Sequence, residues 1–221
     1  MHNVVDKIIS IKKEIQEKII EGKPGNYKPT IVAISKTFSI DKILPLINYG
    51  HDHFGENKVQ EALEKWSEVK ETNQKIKLHM VGKLQTNKVK NALKIFDYIH
   101  SLDSIKLAEK ISLEQEKKNF KPKIFIQLNL GKEGQKSGID EDDLQNFYRK
   151  CVTEYNLNII GIMCLPPFDE DPTPFFEKMQ NLSETLNLKE ISMGMSNDYM
   201  DALRFKATYI RVGSKIFGNR S

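Results

Sequence analysis

The sequence predicts an α/β fold closed as a single (β/α)8 TIM barrel, on three observations. Short apolar runs alternate with amphipathic stretches along the chain, eight such runs can be counted, and no G-x-G-x-x-G follows any of them. Strict alternation argues for a parallel sheet and eight units argue for closure. The missing dinucleotide fingerprint argues against an open doubly wound sheet.

The first element is an extra helix ahead of the barrel, marked by Val4, Ile8, Ile11, Ile15 and Ile19 at spacings of three or four. GKPGNYKP then breaks the chain, and Ile31 to Ile34 forms a continuous apolar run suited to a strand covered on both faces. Further strands are expected at His53-Phe54, Leu78 to Val81, Tyr98 to Leu102, Ile124 to Leu130, Ile159 to Met163, Ile191 to Met195 and Tyr209 to Val212. Helical patterns fill the intervals. One carries Leu144, Phe147, Tyr148, Cys151, Val152 and Tyr155 on one face, with acidic residues 140–143 at its start, where the helix dipole favours them. Another opens at Thr173-Pro174, an N-cap followed by proline at the first helical position, and carries Phe175, Met179, Leu182 and Leu186. Lacking a linker or an internal repeat, residues 1–221 are expected to form one domain.

Composition excludes several function classes. Hydrophobic residues make up 39% and charged residues 29%, which suits a globular chain with a substantial core. No apolar run approaches the ~20 residues of a membrane helix. The N-terminal segment alternates charge with apolar residues instead of presenting a signal-peptide core, so a cytoplasmic location is expected. The net charge is +4, but lysines are interleaved with acidic residues and no basic cluster carries stacking aromatics, so nucleic acid is not an expected partner. Cys151 and Cys164, the two cysteines, lack framework spacing and read as small core residues in a reducing compartment. His51, Asp52, His53 and His79 offer metal-ligand chemistry, but no second ligand cluster accompanies them, so no metal is expected and packing roles are preferred. Trp66 also reads as packing.

Barrel chemistry sits on the loops after the strands, and four places there are informative. Lys36 ends the first strand in AISKT; an amine losing hydration at a barrel mouth favours its neutral form and can attack an aldehyde, whereas a solvated loop lysine would do neither. Asn57 ends the second strand in FGEN, able to donate and accept toward a ring substituent or simply to cap the next helix. In SMGMSND, Gly194 and Met195 lie where the backbone can approach a ligand, and Ser196 lies where an anion or a helix cap would sit. Arg211 on the eighth strand is expected to point inward and to need a buried partner, for which a ligand is the natural candidate, while Gly213 and Ser214 follow it where barrels often hold phosphate. An amine on strand one facing a phosphate cradle at strands seven and eight suits pyridoxal 5′-phosphate.

The segments AISKT, FGENKVQEA, HMVGKLQTNK, GQKSGI, GIMCLP, SMGMSNDYMDA and RVGSKIFGNR occur in this order between residues 30 and 220. Together they resemble the signature segments of the pyridoxal phosphate homeostasis protein family (YggS/PROSC). The resemblance implies a barrel of the alanine racemase N-terminal type without that enzyme's second domain. It implies that Lys36 holds the cofactor as a Schiff base, that Arg211 meets the pyridine nitrogen, that Ser196, Gly213 and Ser214 hold the phosphate, and that Asn57 lies beside the ring. Ser214 stands where many relatives have Thr, Asp201 where Glu is common, and the chain stops soon after Phe217-Gly218.

An always-charged guanidinium at the ring nitrogen discourages its protonation and makes the ring a poorer electron sink. The length of 221 residues also leaves no room for a second domain to supply an opposing base. Storage, delivery or buffering of vitamin B6 is therefore expected, with pyridoxal phosphate-dependent apo-enzymes as partners and a monomeric state. The runner-up is a racemase-like enzyme of weak activity. A barrel for another phosphoester, with Lys36 as counter-charge, comes third.

Overall fold

The computed structural model describes residues 3–22, 28–132, 134 and 137–218. Residues 23–27 of the expected break, Gln135 and Lys136 of the GQKSGI segment, and the end of the chain from Asn219 lie outside the described residues.

Eight parallel strands close in sequence order: β1 (Thr30–Ile34), β2 (His53–Glu56), β3 (Lys77–Met80), β4 (Tyr98–Leu102), β5 (Lys123–Leu128), β6 (Ile159–Cys164), β7 (Glu190–Met195) and β8 (Tyr209–Val212). The α/β barrel expected from the sequence is therefore the observed fold. Its helices are α1 (Val4–Gly22), α2 (Ile40–Asn48), α3 (Val59–Thr72), α4 (Val89–Ile95), α5 (Ile105–Lys118), α6 (Leu144–Thr153), α7 (Thr173–Thr185), α8 (Tyr199–Arg204) and α9 (Ser214–Phe217). Closure rests on β1 pairing with β8, from Thr30 beside Tyr209 to Ala33 beside Val212.

Strand residues alternate between two apolar layers. Ile31, Ala33, Phe54, Leu78, Ile99, Ile124, Ile162 and Ile210 belong to the large core shared with the helices, whereas Val32, Ile34, Tyr98, Phe125, Met163 and Tyr209 form a separate cluster inside the barrel. This follows from the two-residue period of a strand, which sends neighbours to opposite faces. The leading helix α1 buries Ile8, Ile11, Ile15 and Ile19 as its spacing predicts. Its Glu14 accepts a hydrogen bond from the Tyr199 hydroxyl, which ties it to α8.

Three local expectations need correction. Val152 of α6 is exposed while Leu144, Phe147 and Cys151 are buried, because the helix turns its 144/147/151 stripe to the core. In α7 it is Phe176, not Phe175, that is fully buried with Met179. The cap of that helix is Pro172, with Asp171 Oδ1 accepting from the Thr173 N–H, so the proline at 174 follows a Thr that is already helical.

The barrel interior also holds polar rings. His79 and His100 are fully buried, and burial pushes both imidazoles well below their ordinary pKa. Burial lowers His53 too, and lowers His51 to about 4. Groups kept neutral in the fold but free to bind protons when unfolded make the unfolded state the better proton binder below pH ~6.5. Stability is therefore complete above that pH and lost as the pH falls through it. His51, His79 and His100 each contribute a loss of about 1 kcal/mol between pH 7.5 and 5.5, and His53 adds to it in the same direction. Urea denaturation at the two pH values tests this; identical midpoints would contradict it.

Candidate functional site

A cavity of about 890 Å3 opens at the end of the barrel where the strands terminate, within the range typical of small-molecule sites. Lys36, Met195, Ser196, Arg211, Gly213 and Ser214 all line it. Their convergence follows from strand order: β7, β8, β1 and β2 are consecutive neighbours in the closed sheet, so the residues just beyond their ends share one rim.

The backbone around Lys36 is clamped from behind. Ser35 is buried, and its N–H and hydroxyl both turn toward β2, the hydroxyl donating to Glu56 Oε1 at 2.7 Å. Glu56 has no solvent exposure, and the same carboxylate oxygen accepts from Lys65 Nζ and Trp66 Nε1, each at 3.0 Å. Lys65 Nζ also donates to Ser35 O and Glu61 Oε1 at 3.0 Å. Glu61 in turn accepts the Thr37 N–H at 2.7 Å, where the chain adopts φ +69°. Burial alone would raise the Glu61 carboxyl, but the Thr37 N–H and Lys65 together hold it below its ordinary range. The two residues flanking Lys36 are thus fixed by Glu61 and Lys65 of α3 and by Glu56 of β2, charge-assisted bonds being the stronger kind. This network was not anticipated from sequence. Trp66 packs 4.9 Å from Phe54 as expected, and in addition satisfies a buried carboxylate.

Arg211 is 5% exposed and points into the barrel. Its buried partners belong to the protein itself: Nη1 donates to Ser192 Oγ at 2.6 Å and Nη2 to Cys164 O at 2.8 Å. Ser196 does not cap α8, whose N-cap is Asp198; its hydroxyl instead accepts the Gly213 N–H at 3.2 Å, joining the loops after β7 and β8. Gly194 does not line the cavity. Its φ of +85° and its approach to α8, where a Cβ would come within 2.7 Å of Ala202 Cβ, account for the glycine by packing alone.

Asn57 also lies off the cavity lining, directly after Glu56, and it does not cap α3, whose N-cap is Lys58. Its Oδ1 is buried without a hydrogen-bond partner, an uncommon state for a side-chain amide. The sequence reading missed Ser192 and His100, which Arg211 and its neighbours enlist. The signal was present: both lie at inward positions of otherwise apolar strands, in phase with Tyr98 and Tyr209. Among the described residues no group of three or more His, Cys, Asp or Glu side chains is placed to hold a metal ion. No helix among them is long and apolar enough to cross a membrane. Cys164 is buried and its thiol is pushed up to about 12 by burial, which suits the packing role expected of it.

Comparison with known proteins agrees with this architecture. The alanine racemase N-terminal domain family matches residues 19–221. The pyridoxal phosphate homeostasis protein of Aquifex aeolicus is 32% identical over 227 residues, covering 99% of both chains. That of Synechocystis is 35% identical over 215 residues, covering 93% of this chain and 97% of its own. PipY from Synechococcus elongatus, solved both without and with bound PLP, is 31% identical; the PLP-free structure superposes with a TM-score of 0.82 over 92% of this chain and all of its own, and the PLP-bound one with 0.80. The Aquifex and Synechocystis relatives are named for cofactor homeostasis and not for a catalysed reaction, and the chain belongs to the pyridoxal phosphate homeostasis protein family, on the barrel of the alanine racemase N-terminal domain.

Proposed function

We propose that this chain holds pyridoxal 5′-phosphate as a Schiff base on Lys36 and stores, delivers or buffers it, with little turnover of its own. The observation that carries the reading is the sharing of one cavity by the Lys36 amine, the buried Arg211 guanidinium and the Ser196, Gly213 and Ser214 loops. The residues fit the group chemically. A phosphate needs hydroxyls close to the main chain: Ser196 and Ser214 offer the hydroxyls, and Gly213, whose N–H donates to Ser196 Oγ, joins their two loops at a point where a Cβ would crowd Ile34 Cβ at 3.3 Å. A pyridine nitrogen needs a donor, which Arg211 is; Asn57, off the cavity lining, offers the ring nothing in this geometry. The PLP-bound form of the relative PipY supports the same choice of ligand.

When bound, the cofactor supplies an electrophilic aldehyde carbon and, in enzymes, an electron sink. Lys36 holds that carbon. Arg211 stays charged at all working pH values, so it donates to the ring nitrogen without yielding a proton and leaves the sink weak. The reading extends to residues 1–221 acting as one domain, as a monomer in the cytoplasm, with cofactor-requiring apo-enzymes as recipients.

Mixing the protein with pyridoxal 5′-phosphate is expected to give a visible imine absorption, and borohydride is expected to fix the cofactor mass on the peptide containing Lys36. Lys36→Ala abolishes both; a band that survives the substitution assigns the aldehyde to another lysine and overturns the reading. Arg211→Ala is expected to weaken retention on dialysis by roughly 10–100-fold, the range of a charge-assisted hydrogen bond. Thermal denaturation of the same variant separates lost retention from lost folding, since Cys164 O and Ser192 lose their donor too. Incubation with single amino-acid enantiomers should show no sustained α-proton exchange. Exchange at ordinary enzymatic rates would favour the racemase reading instead.

A further inference from the structure

A line of hydrogen bonds crosses the barrel interior and ends on Arg211. His53 Nδ1 lies 2.8 Å from His79 Nε2, His79 Nδ1 lies 2.9 Å from His100 Nε2, and His100 Nδ1 lies 2.9 Å from Ser192 Oγ. Ser192 Oγ is also 2.6 Å from Arg211 Nη1. The participants come from β2, β3, β4, β7 and β8, each at an inward position.

Chemistry gives this line a direction. A guanidinium only donates, so Ser192 Oγ accepts from Arg211. The serine hydroxyl has one hydrogen, and with His100 Nδ1 as an acceptor that hydrogen is satisfied. A neutral imidazole carries one hydrogen, so His100 then donates from Nε2 to His79 Nδ1, and His79 donates from Nε2 to His53 Nδ1. Reversing the line would leave the buried Ser192 hydrogen without an acceptor, which costs about 1–3 kcal/mol. The forward direction also turns the acceptor side of each imidazole dipole toward the cation. Among the described residues no carboxylate hydrogen-bonds to Arg211, although Asp198 acts on it through space, so those dipoles offset part of its lost hydration. The rings are held against rotation: His79 stacks on Tyr98 at 4.1 Å and 14°, and His100 on Phe125 at 4.3 Å and 26°.

We infer that Ser192, His100, His79 and His53 are positioning residues for Arg211, forming a one-way hydrogen-bonded line, with hydrogen on Nε2 of every imidazole, that aims the guanidinium at the cavity. The consequence for the ligand rests on the proposed cofactor reading; the line itself does not. Its far end is His53, at the start of β2 and so at the opposite end of the barrel from the cavity, with its Nε2 3.9 Å from Asp52 Oδ1. Lys77, Asp97, Lys123, His51, Tyr98 and Tyr209 also surround His53. A proton gained on its Nδ1 would deprive His79 of an acceptor, so acid at one end of the barrel disturbs the hold on Arg211 at the other.

Two measurements test this. In 15N-histidine NMR of the full chain without cofactor at pH 7.5, with single His→Gln variants for assignment, His53, His79 and His100 should each show a protonated Nε2 and an unprotonated Nδ1. A protonated Nδ1 on neutral His79 or His100 overturns the inference. In pyridoxal 5′-phosphate titrations followed by imine absorption, Ser192→Ala and His79→Phe should each raise the apparent Kd by about threefold to tenfold, a fraction of one charge-assisted hydrogen bond. Ser192→Thr, which keeps the hydroxyl, should restore wild-type binding. Wild-type affinity in both Ser192→Ala and His79→Phe overturns the positioning role. A wild-type protein that forms no imine sinks the cofactor reading, and the NMR result then decides the line by itself.

Discussion

The pairing of β1 with β8 is the constraint from which the site derives. Until Val32 lies beside Arg211 and Ala33 beside Val212, the Lys36 loop and the Gly213-Ser214 turn have no fixed relation. They are nearly the full length of the barrel apart in sequence. Closure makes them neighbours on one rim and simultaneously withdraws most of Arg211 from water. The interior must then supply hydrogen-bond acceptors. It does so with a serine, a backbone carbonyl and a column of neutral imidazoles in place of a carboxylate.

The rim is stiffened differently on its two sides. Around Lys36 the fixing groups are ionic: Glu61 and Lys65 come from α3, a helix outside the barrel, and Glu56, at the end of β2, is held by Trp66 of the same helix. Around Arg211 they are neutral and come from the barrel's own strands. The distinction suits the two tasks proposed for them. An amine that forms and releases a covalent bond needs a well-placed main chain and a mobile side chain, whereas a donor that never changes charge needs its side chain immobilised.

How much of this could be read from the amino acids alone depended on whether the signal was local. Strands such as Tyr98–Leu102 and Tyr209–Val212 appear at the expected bounds, because runs of β-branched and aromatic residues between breakers announce themselves without reference to the rest of the chain. The rim residues could be placed because a strand end is itself a local feature. Helix faces were misjudged by one position at Phe175 and Val152, since 100° of rotation per residue leaves neighbours at a face edge ambiguous. The histidine column could not be read at all. His53, His79 and His100 are separated by more than twenty residues each, and their contact depends on the stagger between adjacent strands, which the two-residue period does not encode.

Cys164 lends its carbonyl to Arg211 while its side chain faces away from the barrel axis, buried among the helices with the thiol held in its protonated form. Aldehydes are readily captured by nearby thiolates as hemithioacetals, a side reaction that would drain any carrier of a reactive carbonyl. By contributing main chain only, and that to Arg211, this position offers no thiolate to an aldehyde in the neighbouring cavity, and the compartment keeps this sulfur away from the molecule it is proposed to shelter.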